Sequence, residues 1–304
     1  MALVCVCFFW GTTYLGIRIA LESVSPATLM SVRYLCSGGV MLAGALFAGA
    51  HLPRGRELWL TAFYGILTIG VGTGSLSFAE QWVPSGLAAL MVTITPFWMV
   101  GVESLTRGGD RLHGPTIAGM LVGVAGVALL LAPGAGFTGA SVPAGQAGLL
   151  SGFLLLQVGA VGWSAGAIGQ RKLGARAHPI VSGAVQQMTT GLVYVIPALF
   201  QQQTVRWTTR GVWAVGYLVV FGGIVGYSSF VFAMDRLPVA IASIYSYVNP
   251  MVAVALGWLF YREPFGVREA MATAIIFIGV TIVKRTASSV AVKKLSTDGP
   301  AESG

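Results

Sequence analysis

The sequence predicts an all-α membrane protein of ten transmembrane helices, arranged as two inverted repeats of five helices. Three observations carry this prediction. The composition is too poor in charge for a surface that faces water, the chain divides into apolar blocks of membrane-spanning length, and its second half repeats its first.

The composition indicates a surface that faces lipid. Of the 304 residues, 55% are hydrophobic and 9% are charged, and the mean hydropathy is +0.79. Soluble domains carry roughly 25% charged residues because their surfaces face water. Between Leu112 and Gln170 the chain has no Lys, Arg, Asp or Glu, which fits two membrane spans and the loop between them.

The net charge of +8 does not indicate nucleic-acid binding, because the basic residues occur singly or in small groups between apolar blocks. The cysteines Cys5, Cys7 and Cys36 form neither a metal-ligand spacing nor a disulfide framework. We therefore expect no metal, no cofactor and no nucleic acid. The expected partners are a small-molecule substrate and the lipid bilayer. The oligomeric state stays open, and a monomer is compatible with the sequence.

Pro, Gly and charged residues separate ten apolar blocks, each long enough to cross about 30 Å of hydrocarbon as a helix. Helices are expected because backbone groups in lipid must be hydrogen-bonded within the segment. The predicted spans are 2–20, 28–50, 58–79, 85–106, 115–132, 147–169, 179–200, 211–234, 239–261 and 266–284. The polar residues 286–304 are predicted to form a disordered tail.

Lys and Arg are distributed unequally between the two sides of these spans. Of the 18 basic residues, twelve fall on the side shared by both termini, five fall on the opposite side, and Arg33 lies within the second span. Because basic residues are enriched in cytoplasmic loops, both termini are predicted to be cytoplasmic.

The two halves, 1–135 and 145–285, repeat each other at a spacing of 153 residues that becomes 154 after a one-residue slip. Because each half holds five spans, the second half must enter the membrane from the opposite side. Inverted repeats with a site where the halves meet are typical of alternating-access transporters. The matched pairs are Trp10/Trp163, Arg18/Arg171, Pro26/Pro179, Gly38/Gly191, Trp59/Trp213, Gly72/Gly226, Phe78/Phe232, Pro84/Pro238 and Pro96/Pro250.

Several of these segments resemble a known family. The Trp10-Gly11 start, the run from Pro26 to Arg33, GLAALMVTITP in span 4 and IASIYSYVNPMVAVALGWLFYRE in span 9 resemble the EamA repeat of the drug/metabolite transporter superfamily. Within it, the chain looks most like the YddG-type amino-acid exporters of bacterial inner membranes. The resemblance implies a ten-helix fold with a central cavity in that membrane. It also implies export of amino acids, aromatic ones and methionine among them, or of related small metabolites.

Two prolines in equivalent spans indicate where a substrate would bind. Pro96 and Pro250 each remove one backbone donor and displace the carbonyl four residues earlier, at Val92 and Ser246. At membrane depth such groups must be satisfied by protein, water or ligand. The candidate substrate contacts beside these breaks are Thr95, Ser246 and Asn249. The alternative is a structural kink that these side chains satisfy.

Aromatic residues within the spans form a second group of candidates. Trp and Tyr usually gather at membrane interfaces, so those away from the interfaces are candidates for the wall of a cavity. They are Trp10, Tyr14, Trp98, Trp163, Tyr227, Tyr245 and Tyr247. Cavity lining is favoured for the repeat-equivalent pair Trp10 and Trp163, and ordinary packing is the favoured interpretation for the others.

Arg33 lies about two turns into the second span, where an ionisable group indicates function. It is a candidate contact for a substrate carboxylate, although a structural pair with Glu80 or Glu22 is the favoured interpretation. Small-residue pairs in spans 3 and 8 fit G-x-x-x-G helix packing and would also serve as sliding surfaces in a rocking mechanism. These are Gly70/Gly74 and Gly222/Gly226.

Two other functions stay open. Ser164 lies in a G-x-S-x-G pattern, the motif of a hydrolase nucleophile, but a base must be within hydrogen-bond reach. The histidines His51, His113 and His178 lie in loops away from a mid-span serine, so an enzyme is not expected. A passive facilitator or channel is compatible with the sequence, because no span carries the paired midplane carboxylates of a proton relay.

Overall fold

The structure is a computed structural model of the chain and describes residues 1–106, 112–132, 145–201, 205–236, 245–263 and 265–297. In this part of the chain all regular structure is helical. The α-helices are α1 Ala2–Leu21, α2 Pro26–Phe47, α3 Arg56–Gly65, α4 Gly74–Ala79, α5 Ser85–Val92, α6 Thr95–Leu105, α7 Gly114–Leu131, α8 Gly145–Leu173, α9 Pro179–Phe200, α10 Thr209–Tyr217, α11 Gly226–Arg236, α12 Tyr245–Tyr261 and α13 Val267–Thr297. Two π-helical segments, Ile66–Thr73 and Leu218–Val225, join α3 to α4 and α10 to α11.

Seven stretches of the described helices are long and apolar enough to cross a membrane. They are Ala2–Leu21, Pro26–Phe47, Arg56–Ala79, Ser85–Leu105, Gly114–Leu131, Ala147–Leu173 and Thr209–Phe230. Each coincides with one of the ten predicted spans, and the other three predicted spans coincide with α9, α12 and α13. The polar residues Gln186, Gln187 and Thr190 are buried in α9, and residues 239–244, the predicted start of span 9, lie outside the described residues.

The outer surface of the bundle is apolar, as the composition predicts. Leu199, Phe200 and Trp213 each expose three quarters or more of their side chains. Large side chains between the helices are fully buried, among them Leu29, Leu87, Met91, Leu156 and Ile276. Apolar groups thus occupy both the interior and the outside, which is the arrangement that a lipid environment allows.

Local sequence explains where the helices begin. The hydroxyl of Ser25 accepts a hydrogen bond from the backbone N–H of Thr28 at 3.2 Å, and Pro26 occupies the first turn of α2, where its missing N–H costs nothing. The hydroxyl of Thr208 caps α10 in the same way by accepting from the N–H of Gly211 at 3.0 Å.

Helices α2 and α9 cross where a repeat-equivalent pair of glycines lies. A Cβ on Gly38 would be 2.7 Å from the backbone nitrogen of Met188, and a Cβ on Gly191 would be 2.7 Å from that of Leu35. Each half of the chain therefore contributes the same small residue at the same crossing. The two π-helical segments also occupy equivalent places in the two halves, because 66–73 and 218–225 each lie in the middle of the third span of their half.

The structure departs from the predicted spans in two places. Span 4 is not one helix, because α5 ends at Val92 and α6 begins at Thr95. The last helix, predicted to end at residue 284, continues to Thr297. Residues 285–297 contain helix-forming Ala, Lys and Leu, and extending an existing helix costs far less than starting one.

Candidate substrate site

Four aromatic side chains from four helices meet inside the bundle. The ring of Trp10 in α1 lies edge-on to Trp163 in α8, with centroids 6.5 Å apart. It also lies 5.0 Å from Phe230 in α11 and 5.6 Å from Tyr245 in α12. These four residues, here called the aromatic cluster, join the two halves of the chain. Three of them were predicted, and Phe230 was missed because nothing in the sequence distinguishes it from other lipid-facing or packing phenylalanines.

Small residues hold the two tryptophans in place. The indole N–H of Trp10 donates to the carbonyl of Gly222 at 3.2 Å, and a Cβ on Gly226 would lie 2.6 Å from that indole nitrogen. A Cβ on Gly72 would lie 3.1 Å from the Trp163 ring. The glycines of span 8 thus make room for a side chain of another helix.

The glycines of span 3 do the same for a tyrosine of α9. The hydroxyl of Tyr194 donates to the carbonyl of Gly70 at 2.8 Å and occupies the space that a Cβ on Gly74 would need. The sequence predicts that Gly70/Gly74 and Gly222/Gly226 form G-x-x-x-G contacts between helix backbones. In the structure, both pairs of glycines instead accommodate aromatic side chains. The spacing alone cannot separate these outcomes, because both require a surface without Cβ atoms.

The two prolines are accommodated differently. The hydroxyl of Thr95 donates to the Val92 carbonyl at 2.6 Å, so the group freed by Pro96 is satisfied within its own turn. Pro250 lies inside α12, which continues through it. In the orientation that satisfies its surroundings, the amide of Asn249 donates to the carbonyls of Tyr245 at 3.1 Å and Cys7 at 2.8 Å. Thr95 and Asn249 therefore act within the framework of the protein.

Ser246 and Tyr247 face α13 and not the aromatic cluster. The ammonium of Lys284 donates to the Ser246 hydroxyl at 2.7 Å and lies 4.4 Å above the centre of the Tyr247 ring. Tyr247 also packs edge-on against Phe277 at 5.4 Å. This face borders a cavity of about 450 Å³ whose lining includes Tyr247, Phe277, Thr281 and Arg285.

Three further aromatic candidates lie in other surroundings. Trp98 exposes 38% of its surface, and its indole N–H donates to Gln157 at 2.9 Å. Tyr227 packs on the backbone of α9 at Gly183. Tyr14, one turn beyond Trp10, packs against the main apolar core of the bundle. Of the predicted aromatic set, Trp10, Trp163 and Tyr245 belong to the aromatic cluster.

Two buried charged residues lack hydrogen-bond partners in the part of the chain that the structure describes. Arg33 is 4% exposed, and its Nε and Nη1 have no acceptor. Its guanidinium lies over the Tyr34 ring, 4.9 Å from the centre. Glu80 is 6% exposed, and neither carboxylate oxygen has a donor. Of the two carboxylates considered as partners of Arg33, Glu22 pairs with Arg210 at 3.4 Å.

Glu80 follows the last residue of the candidate span Arg56–Ala79. Burial raises its pKa well above the usual range, because the ionised form loses its hydration. The positive charges of Arg18 and Arg33 partly offset this effect, and the negative charge of Glu263 adds to it.

Glu263 joins three helices at the end of the bundle where α1 terminates. Its carboxylate accepts the N–H groups of Ser85 at 3.0 Å and Gly86 at 2.9 Å, which caps α5, and pairs with Arg18 at 3.0 Å. Arg262, with φ 52°, takes the left-handed conformation that ends α12 and turns Glu263 inward. At the end where α8 terminates, the repeat-equivalent Arg171 pairs with Glu103.

The serine of the G-x-S-x-G pattern is hydrogen-bonded within its own helix. The hydroxyl of Ser164 is fully buried and donates to the Ala160 carbonyl at 2.7 Å, a bond within its own helix. The three histidines are exposed. Among the described residues no group of His, Cys, Asp or Glu could hold a metal ion.

A bundle of membrane-long helices, with aromatic rings and unpartnered charges inside, defines the class of small-molecule membrane transporters. The profile of the EamA-like transporter family matches residues 1–132 and 150–285. The chain belongs to this family, with one copy of the repeat in each half.

Curated relatives cover nearly the whole chain. The uncharacterized inner membrane transporter YedA of Escherichia coli K12 is 31% identical over 93% of this chain and 89% of its own length. The uncharacterized transporter YvbV of Bacillus subtilis is 25% identical over 90% and 87%. A probable terminal-alkyne amino-acid exporter of Streptantibioticus cattleyicolor is 25% identical over 93% and 92%. A solved crystal structure shares the fold with a TM-score of 0.67 at 23% identity, over 93% of this chain and 96% of that one.

Proposed function

We propose that this protein exports amino acids with apolar or aromatic side chains across a bacterial inner membrane by alternating access. In this proposal ten helices form two inverted five-helix repeats, both termini are cytoplasmic, and the substrate binds between the halves. The resemblance to YddG-type exporters is part of the proposal.

The observation that carries the proposal is the contact between Trp10 and Trp163. These residues are equivalent in the repeat, they come from opposite halves, and Phe230 and Tyr245 extend the apolar wall beside them. Rings arranged edge-on offer flat faces for an apolar side chain and N–H or O–H groups for its polar end. A relative described as a probable amino-acid exporter supports the same substrate class.

Ion pairs at the two ends of the bundle are the second support for alternating access. Arg18 and Glu263 tie α1 to the end of α12, and Arg171 and Glu103 tie α8 to α6. A transporter of this kind must open one end while the other stays closed. Ion pairs at repeat-equivalent arginines are suited to that task, since each can break without disturbing the other.

The test is flux of labelled amino acids, metabolites and drugs into liposomes that contain the purified protein. We expect saturable flux of phenylalanine, methionine and similar amino acids. Trp163→Ala should raise the half-saturating concentration roughly tenfold, equivalent to about 1.4 kcal/mol of lost ring contact. Trp213→Ala is the matched control, because Trp213 is 75% exposed on the outer surface. Clear flux of another compound class without amino-acid flux would refute the proposed substrate and leave the family assignment intact.

A further inference from the structure

Among the residues that the structure describes, Arg33 and Glu80 are the two buried charged side chains with polar atoms that lack a hydrogen-bond partner. Isolating an ionised side chain from water costs several kcal/mol unless hydrogen bonds or an opposite charge compensate it. In a folded protein such groups are almost always paired. Here a guanidinium and a carboxyl group share the same interior without hydrogen bonds to each other or to any other described residue, so a partner from outside the chain is the natural complement for both.

The separation of the two groups follows from a contact between their helices. The hydroxyl of Ser77 in α4 donates to the sulfur of Met30 in α2 at 3.4 Å. Arg33 lies three residues beyond Met30, and Glu80 lies three residues beyond Ser77. Because the two helices run in opposite directions, the charged residues lie on opposite sides of this contact, and their Cα atoms are offset by about 9 Å along the axis at 1.5 Å per residue.

The two charged groups form no hydrogen bond with each other among the described residues, and each keeps polar atoms that a bridging molecule can bond. Burial raises the pKa of Glu80, and the charge of Arg33 lowers it to a smaller extent. An amino-acid head group offers one charge-assisted hydrogen bond of about 2.8 Å at each end, one for each of these side chains. A carboxylate matches the planar donors of a guanidinium, and an ammonium matches the oxygens of a carboxylate.

Arg33 borders the aromatic cluster. A Cβ on Gly222 would lie 2.8 Å from Nη2 of Arg33, and the carbonyl of the same glycine accepts the indole N–H of Trp10. A molecule bound to Arg33 therefore lies beside Trp10 of the aromatic cluster.

We propose that Arg33 and Glu80 form the head-group site of the transporter, with Arg33 binding the carboxylate and Glu80 the ammonium of a zwitterionic amino acid. This inference rests on the proposed function and adds the polar half of the site, in which Glu80 is a substrate-binding residue. It also accounts for two buried charged side chains without hydrogen-bond partners among the described residues, because the substrate supplies those partners.

The test compares three ligands that differ only in the head group: phenylalanine, phenethylamine, which lacks the carboxylate, and 3-phenylpropionate, which lacks the ammonium. Binding to the purified full-length protein is measured by intrinsic tryptophan fluorescence. In the wild type we expect each deletion to weaken binding roughly 10- to 100-fold, the loss of one charge-assisted bond. This comparison needs no substitution, so it stands even if a variant fails to fold.

Variants then assign each end of the head group. In Glu80→Gln, phenylalanine and 3-phenylpropionate should bind equally well, because the ammonium no longer has a counterion. In Arg33→Gln, phenylalanine and phenethylamine should bind equally well, and Arg33→Lys should recover part of the preference. Glu22→Gln is the matched control, since Glu22 lies at the exposed end of the bundle and pairs with Arg210. Thermal unfolding of each variant confirms that it is folded.

The possible results distinguish failure of the head-group site from failure of the exporter proposal. Amino-acid flux with unchanged ligand preference in Glu80→Gln and Arg33→Gln would overturn the head-group site and leave the exporter proposal in place. Binding that follows the expected pattern without flux would support the site and overturn the exporter. Absence of binding by phenylalanine to the wild type would overturn both.

Discussion

Asn249 shows how one polar side chain at membrane depth is used. The sequence places it beside Pro250, where a substrate contact and a satisfied kink are equally reasonable. In the structure both of its donors reach backbone carbonyls, one in its own helix and one at Cys7 of α1. A residue whose donors are both occupied ties α12 to α1 and has little left for a substrate.

Asn249→Ala should therefore reduce stability more than substrate affinity. Interhelical hydrogen bonds in membrane proteins contribute about 1 kcal/mol, and this variant is expected to lower the free energy of unfolding by that order. Thermal or denaturant unfolding of the purified protein measures the change. Cys7→Ala keeps the backbone acceptor and should have the smaller effect. A variant as stable as the wild type with weakened binding would instead return Asn249 to the substrate site.

At this scale the sequence predicts residue types better than their contacts. Trp10 and Trp163 could be paired because the repeat relates them, and the structure brings them together. Ser246 and Tyr247 could not be assigned, because the face of α12 that meets α13 depends on how the helices are rotated. Arg33 and Glu80 could be named as charged residues, but only the three-dimensional structure shows that they are buried and lack hydrogen-bond partners among the described residues.

At the scale of elements, the π-helical segments are the least predictable feature. A π-helix differs from an α-helix by one residue per turn in its hydrogen bonding, and no residue pattern specifies it. Both segments contain a glycine whose carbonyl accepts a side-chain donor, Gly70 from Tyr194 and Gly222 from Trp10. π-segments often occur at functional sites, and here they lie beside the aromatic cluster and the crossing of α2 with α9.

Gly226→Ala tests the fit between the second π-segment and the aromatic cluster. The added methyl group would meet Nε1 of Trp10 at 2.6 Å and the Phe221 carbonyl at 2.8 Å, so Trp10 must move. We expect lower stability and a loss of flux of roughly tenfold or more, since overpacking costs about 1–3 kcal/mol.

Gly216→Ala is the control for this substitution. Gly216 lies in α10 with no atom within 4 Å of its Cβ position, and Ala is the better helix former there. Flux through Gly226→Ala and Gly216→Ala is measured and compared with that of the wild type. Equal flux in Gly226→Ala and the wild type would show that the position of Trp10 is not important for transport.

At the scale of the whole molecule, hydropathy and the repeat predict most of the architecture. Seven of the predicted spans coincide with helices that are apolar enough to cross a membrane. The other three coincide with α9, which is more polar, with α12, which is shorter in the described residues, and with α13, which is longer than expected. What hydropathy cannot supply is the packing of those helices, because apolar side chains face both lipid and neighbours. Capping of α5 by Glu263 from the other half is one such contact.

Glu263→Ala tests how strongly that contact joins the halves. The substitution leaves Arg18 without its partner and the first turn of α5 without its acceptor. Breaking a buried pair by removing one partner costs about 3–5 kcal/mol, so the melting temperature should fall strongly. Glu103→Ala, at the other end of the bundle, should cost less because its pair is more exposed. A small effect of Glu263→Ala would show that the two halves hold together without this contact.

The central claim is that two halves inserted in opposite directions enclose one site, and side-specific labelling tests it most directly. Residues 52 and 206 are equivalent in the repeat and lie in exposed loops. Leu52→Cys and Arg206→Cys, in a variant whose three native cysteines are replaced by serine, would be treated in intact cells with a membrane-impermeant maleimide. Arg206→Cys should be labelled from outside, and Leu52→Cys only after the membrane is opened. Labelling of both positions from the same side would contradict the inverted arrangement and the shared site that depends on it.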